Sequence, residues 1–417
     1  MKLRFGARSQ ALLTLLLACA LSACAGYAGK IREPRRHFEQ GKFDLAAAKL
    51  TELADAKDND QLLYLMDLGM VYHTAKKYPE AIKAFLQAEK LADRKDYTSV
   101  SQEVGAVVTN DDMLFYKGED FEKVLINVYL AMDYTLSGQW DDALVECRRV
   151  NHKLDMMRAA GNPKYQRNLF AKYLAASLFE SQGDLNSAFV DYRMLRKWDP
   201  GAPFLGPALL RVSDRLRASQ EFAQYRKEYP EEKDFKIGKD QGEVIVLVEQ
   251  GKSPIKVPSY AHHLVPMFQK RSYGSRYVIV RDAADPSRQS QSLPFFDIEE
   301  TAINELNEKM PGIVAKKIAG IAAKQAIGAG VGAATKEKWL GTLTSLFLHA
   351  SDKADLRSWT TLPASLQIAR LAVPAGRRDI ELDMVDGSGG RTSKVARWAG
   401  VQIKPGKMVF LNYRTPD

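Results

Sequence analysis

One stretch constrains the fold more than any other. Residues 65–88 read Leu65-x2-Leu68-Gly69-x2-Tyr72, then Lys77-Tyr78-Pro79, then Ala81-x3-Phe85-x2-Ala88. The apolar positions fall on one stripe of each of two helices. Pro79 suits the first turn of the second helix. Gly69 and Ala81 carry little bulk, so the two helices can cross closely, with Leu65, Leu68, Tyr72, Phe85 and Ala88 filling the seam. Such a hairpin cannot bury its apolar face alone, so copies must stack beside it.

The copies are present. Leu130-Ala131-x2-Tyr134, Gly138, Trp140, Ala143-x3-Cys147 and Val150 form one. Ala175-Ala176-x2-Phe179, Gly183, Leu185, Ala188-x3-Tyr192, Leu195 and Pro200 form another. A degraded earlier copy holds Gly41, Phe43, Ala46-x3-Leu50 and Leu53, and residues 205–228 add a fifth helical pair or cap. This pattern resembles the tetratricopeptide repeat, and it predicts an all-α helical array over residues 31–229. Ala46 to Ala81 spans 35 residues, Ala81 to Ala143 spans 62, and Ala143 to Ala188 spans 45. Segments are therefore inserted before the third and fourth copies, the first holding Thr109-Asn110-Asp111-Asp112. Insertions in such arrays map to loops on one face.

The first helices of a stacked array line an inner surface suited to an extended peptide or a partner helix. By register that surface would carry Met66, Met70, His73, Thr74, Val128, Met132, Thr135, Tyr173, Ser177 and Glu180. Methionines there would make an adaptable apolar groove; the alternative is packing against neighbouring repeats. Cys147 takes the apolar slot of a second helix and is expected to be a buried small residue.

Composition shifts near Lys239. The β-branched run Val244-Ile245-Val246-Leu247-Val248 predicts a buried strand, and 277–280 another. Residues 296–310 read as a helix, with Pro311 restarting the chain. Residues 313–334 are rich in Ala, Gly and Ile. Lys316, Lys317 and Lys324 interrupt them, which excludes a simple membrane span and leaves a buried helix or one lying on a membrane surface. Strand-like runs at 366–373, 379–385, 394–403 and 408–413, separated by Gly/Pro turns, suggest a small sandwich. The expected organisation is thus multidomain: a helical array, an α+β region over 240–350, and a small β-sandwich-like domain over 351–417. Arg357 and Trp359 are expected to form a buried polar corner.

The beginning of the chain concerns location. Lys2, Arg4 and Arg8 precede an apolar run from Ala11 that ends in Leu21-Ser22-Ala23-Cys24. A basic stretch, a short apolar stretch and small residues make a secretory leader, and the run is shorter than the roughly 20 residues needed to span a bilayer. Leu-Ser-Ala-Cys resembles the lipobox of bacterial lipoproteins. That resemblance implies removal of residues 1–23, lipid on Cys24, a lipidated tether over 24–30, and, since Ala25 and Gly26 follow rather than Asp, the periplasmic face of the outer membrane. The formal charge of +9 becomes about +6 once Lys2, Arg4 and Arg8 leave with the leader. This mildly basic balance fits a solvated surface, or attraction to anionic headgroups or cell-wall polymers. Nucleic acid is not expected as a partner of an exported chain. The lipobox, the degenerate repeats, Tyr116-x-Gly118-Glu119-Asp120-Phe121-Glu122, Glu146-x-Arg148-Arg149-x-Asn151, Gly242-Glu243-Val244 and Arg357-Ser358-Trp359-x2-Leu362-Pro363-Ala364 together resemble a family of bacterial tetratricopeptide lipoproteins with no established activity.

No pattern points to chemistry. The six histidines show no His-x3-His spacing, and no Cys-x2-Cys is present, which argues against zinc. There is no nucleophile elbow or phosphate-binding glycine loop. No catalytic residue, cofactor or metal is expected. The expected role is a non-enzymatic scaffold on the outer membrane that binds a periplasmic or outer-membrane protein through its repeats. Alternatives are a cell-wall synthase activator or glycan-active component, and a membrane-acting module built on residues 313–334.

Overall fold

The computed structural model describes residues 27–97, 114–159, 167–233, 235–260, 263–335 and 353–416. Cys24 and Thr109-Asn110-Asp111-Asp112 lie outside the described residues. Among the described residues ten helices come first, in five hairpins: α1 (Tyr27–Glu39) with α2 (Phe43–Asp55), α3 (Gln61–Thr74) with α4 (Tyr78–Tyr97), α5 (Asp120–Leu136) with α6 (Trp140–Ala159), α7 (Leu169–Gln182) with α8 (Leu185–Trp198), and α9 (Leu205–Arg215) with α10 (Ser219–Glu228). Residues 27–30, expected to be tether, belong to α1. Pro34 hid this helix from the sequence pattern, because proline in a helix interior costs a hydrogen bond and sterically opposes the turn.

Each hairpin follows from its small residues. A side chain at Gly69 would place its first carbon 2.4 Å from the ring of Phe85, so the close crossing of α3 and α4 leaves no room for one unless the ring moves. The hairpin turns need one left-handed residue. Gly138 and Gly183 supply it in the third and fourth hairpins, and Lys76 takes the same place in the second with φ of 61°. Ala81, Ala143 and Ala188 are fully buried at the crossings. The second helices bury one stripe, as Ala188, Phe189, Tyr192 and Leu195 do in α8. The first helices are different. In α5 every residue from Val124 to Asp133 is buried, so something covers its other side.

That cover is a β-sandwich. One sheet orders β1 (Gln241–Gln250) between β7 (Ser365–Pro374) and β10 (Met408–Arg414), with β6 (Leu293–Asp297) outside β7. The other orders β5 (Asp285–Gln291), β4 (Ser275–Asp282), β8 (Gly376–Asp386) and β9 (Arg391–Ile403). A short ribbon pairs β2 (Ile255–Pro258) with β3 (Pro266–Gln269). The chain passes from β7 straight into β8 at the corner between the sheets, where Gly376 has φ of 115°.

β1 explains the architecture. It is antiparallel to β7, with Ile245 opposite Arg370, and parallel to β10, with Ile245 opposite Phe410. Side chains alternate across a strand. Val244, Val246 and Val248 join Val278, Val280, Leu371 and Leu382 between the two sheets. Ile245 and Leu247 join Leu366, Ile368, Met408 and Phe410 in the core shared with the helices. Both faces are therefore apolar and the run is unbroken. Burying each such side chain contributes roughly 1.5–3 kcal/mol, so this seam is a major stabilising contact.

Two expectations from the sequence are corrected. The α+β region over 240–350 and the β domain over 351–417 are one unit: β1 pairs with β7 and β10, and β4 pairs with β8, across the expected boundary. Pro311 does not restart the chain. It lies inside a single helix, α11 (Ile298–Thr335), which begins after β6 rather than at Phe296. Glu305 of α11 accepts from the backbone N–H groups of Asp120 and Phe121 at 2.8 and 2.9 Å, placing a carboxylate at the N-terminus of α5. Among the described residues no helix is long and apolar enough to cross a membrane.

Candidate functional site

Of the ten residues expected to line an open inner face, four meet the sheet directly: Met70 receives Arg414, His73 pairs with Glu249, and Tyr173 and Glu180 both receive Arg370. Met66, Met70, His73, Val128, Met132, Thr135, Tyr173, Ser177 and Glu180 are buried, and Thr74 is half-buried. The chain's own sheet occupies the groove. The physical reason lies in β1, β7 and β10, whose second apolar face must be covered, and the apolar inner surface of the helices covers it.

Two charged networks fix the sheet in place. In the first, the fully buried His73 of α3 stands between Asp133 of α5, at 2.5 Å from Nδ1, and Glu249 of β1, at 2.9 Å from Nε2. Glu249 also accepts from Tyr129 Oη at 2.9 Å, Asn412 Nδ2 at 3.1 Å and Arg414 Nη1 at 3.1 Å. Burial alone would lower the pKa of His73, but the Asp133 and Glu249 carboxylates raise it to about 10, so both ring nitrogens donate. Burial likewise pushes Glu249 up, and His73 and Arg414 overcome it, holding the carboxyl at about 2. A charged histidine between two acids would suggest proton chemistry were it exposed. With no exposed surface, the triad instead joins two helices to a strand 176 residues away.

In the second network, Glu180 of α7 accepts from Arg211 of α9 at 2.6 and 2.9 Å, from Tyr192 Oη at 2.9 Å, and from Arg370 of β7 at 3.5 Å. Arg370 in turn forks onto Glu243 of β1, both bonds at 2.6 Å, and donates to Tyr173 Oη at 2.7 Å. The paired guanidinium–carboxylate geometry is the strong, directional kind. Beyond these, Ser181 at the end of α7 accepts from the Met408 N–H at 3.1 Å.

The motifs that carried the family resemblance also meet each other. Glu122 accepts from Tyr116 Oη and from the Trp359 N–H, both at 2.6 Å, and from the Glu119 N–H at 3.0 Å. Burial, with Glu119 nearby, raises the Glu122 carboxyl to about 7. Arg357 donates to Asp60 at 3.0 Å and to the Leu114 carbonyl at 2.9 Å, the buried corner that Arg357 and Trp359 were expected to make. Asn127 donates to Glu89 and Glu146 at 2.7 Å each, and Arg149 reaches Glu146 at 2.9 Å. All of these side chains hold elements together. Cys147 is buried, and burial pushes its thiol up to about 12, as expected of an apolar slot. Among the described residues no group of three or more His, Cys, Asp or Glu side chains is placed to hold a metal ion.

Sequence reasoning had no means of finding Glu249, Arg370, Arg414 or Asn412 as partners of the inner face. Glu249 and Arg414 show locally only as charges at the ends of apolar strands, Arg370 as a lone cation in the middle of one, and Asn412 as a neutral residue.

No protein-family model matches the chain, and comparison with curated proteins finds no match. Among solved structures it is similar to MamA. One crystal structure of MamA is 15% identical, with 48% of this chain and 92% of that one covered at a TM-score of 0.32. Another is 13% identical, with 50% and 94% covered at 0.32. The likeness falls on the helical half.

Proposed function

We propose that the chain is a lipid-anchored scaffold on the periplasmic face of the outer membrane, acting by protein contact in cell-envelope assembly and not by chemistry. The observation that carries this reading is the stack of five helical hairpins, an architecture whose broad surfaces serve binding. Leu21-Ser22-Ala23-Cys24 supports the anchor. Because the sheet fills the inner face, partner contact falls to the outer helices. There Leu45 of α2 is 53% exposed and Val190 of α8 is 60% exposed. Val145 and Val190 each stand two residues after the packing alanine of their hairpins, so the repeat presents them in equivalent places.

Photocrosslinking in cells tests it. A photoreactive residue at Val145 or Val190 is expected to trap a specific envelope protein, whereas one at Ser388, on an exposed turn of the sandwich, should not. No adduct, or the same adducts from Ser388, would count against the reading. Cys24→Ala should move the protein out of the membrane fraction; retention there would remove the anchor from the proposal.

A further inference from the structure

A cavity of about 410 Å³ opens where the first hairpin, the α3–α4 turn, β9 and the end of β10 converge. Its lining is charged on one side only. Arg35, Lys76, Lys252, Arg271, Arg397 and Arg414 line it, against Glu39 as the one carboxylate. Two of these cations are balanced elsewhere, Arg397 by Asp379 and Arg414 by Glu249. Among the described residues the other four form no salt bridge, although Glu39 lies near Arg271 and Asp67 near Arg35. Arg271 donates to the Ser253 carbonyl at 2.6 Å, the Thr360 carbonyl at 2.6 Å and Ser253 Oγ at 3.3 Å, all neutral acceptors. Arg35 donates to Tyr27 Oη at 2.8 Å, and its Nε is buried without an acceptor. Lys76 sits over the Trp398 ring at 5.9 Å.

Concentrating like charges in a partly enclosed space is unfavourable unless something neutralises them. The strain is visible at Arg271: burial, with Arg35 and Arg414 close by, lowers its pKa to about 10. Elsewhere in the described chain buried arginines find carboxylates, as Arg211, Arg357 and Arg370 do. The cavity also offers an unsatisfied group. Thr360 is 7% exposed, lines the space, and its hydroxyl has no partner among the described residues. The remaining walls are aromatic, with Phe38, Phe43, Trp398 and Tyr413. These surfaces would shelter an apolar portion of a ligand.

We infer that this cavity binds a phosphate-bearing ligand with an attached apolar portion, the phosphate against Arg35, Arg271, Lys76 and Lys252 and the apolar part along Phe38 and Trp398. Four cations without salt bridges exceed what one carboxylate would neutralise, and guanidinium forks match phosphate oxygens. Such chemistry is shared by a phospholipid headgroup and by a soluble phosphate ester. The cavity does not depend on the anchor or on the outer-helix partner surface.

The test uses the Cys24→Ala chain, which carries no lipid of its own. Binding is measured for inorganic phosphate, for a short-chain phosphatidic acid below its micellar concentration, and for phosphatidylglycerol against phosphatidylcholine vesicles. Phosphatidic acid is expected to bind at least tenfold tighter than phosphate, weakening as salt is raised. Added vesicle binding, selective for phosphatidylglycerol, assigns the headgroup source; binding of the short-chain molecule alone assigns a soluble ester. Lys76→Glu with Lys252→Glu, both at the accessible rim, should lower affinity at least tenfold with an unchanged unfolding midpoint. Trp398→Ala should reduce the preference over inorganic phosphate. No binding of any probe, or binding indifferent to the double charge reversal, would overturn the inference.

Discussion

Glu180→Gln strikes the second network at its centre. Glu180 is 2% exposed and serves two buried arginines, with the more exposed Arg215 also at 3.8 Å, while Glu243 serves one of the buried two. Two buried guanidinium groups are thus matched by two carboxylates. Burial raises the Glu180 carboxyl, but Arg211 and Arg370 hold it well below the usual range, so it is ionised at neutral pH. Glutamine keeps the shape and removes the charge, leaving Arg211 stranded under the sheet. Removing one partner of a buried pair costs about 3–5 kcal/mol. The loss is read by urea denaturation, with hydrogen exchange showing whether β1 and α7 open together. Adding Arg211→Met removes the stranded cation. The double variant should therefore lose less than the sum of the single ones, with a coupling of about 1–3 kcal/mol. A Glu180→Gln loss under about 1 kcal/mol, or a strictly additive cycle, would mean that water reaches these charges and the sheet is not seated on α7.

Three further outcomes follow from particular contacts. Gly69→Ala forces a methyl group into the Phe85 ring and should cost about 1–3 kcal/mol by overpacking, measured as a drop in the urea midpoint. His73 has a folded pKa of about 10, above its unfolded value of 6.5. Its contribution is complete below 6.5 and is lost as pH rises through about 10, at up to about 1.4 kcal/mol per pH unit. That alkaline slope should vanish in His73→Gln; its persistence would assign it to another group. Glu249 acts oppositely, since a folded pKa of about 2 gives stability that is present above the ordinary carboxylate value and is lost as pH falls toward 2. Glu249→Gln should flatten the acid limb of the stability curve, and an unaltered limb would contradict the pairing with His73.

Much of the fold was legible in the sequence. Gly69, Ala81, Ala143 and Ala188 announce the hairpins because close helix crossing leaves no choice of residue. Val244 to Val248 announces β1 because a strand covered on both faces must be apolar throughout. What was not legible shares one cause, long-range pairing. β5 reads Asp-Pro-Ser-Arg-Gln-Ser-Gln and owes its conformation to β4 rather than to its own composition. The 350 boundary failed because strands on either side of it alternate in the first sheet and pair at β4–β8 in the second. An open inner face was expected from the repeats, and nothing near Met70 or Tyr173 reveals that β1, β7 and β10 carry a second apolar face that needs cover. His73 read as one polar residue in a groove until the fold brought Asp133 and Glu249 to its two nitrogens.

Thiol labelling of the native chain asks most directly whether the groove is sealed. Met132, one of the residues expected to line the groove, has no exposed surface, whereas Val190 is 60% exposed on an outer helix. Met132→Cys and Val190→Cys are each treated with a maleimide under native conditions, with buried Cys147 as the internal reference. Val190→Cys should label rapidly while Met132→Cys stays as unreactive as Cys147 until denaturant is added. Equal labelling of the two introduced cysteines in the folded protein would show an open inner face and contradict the clasp between the helices and the sheet.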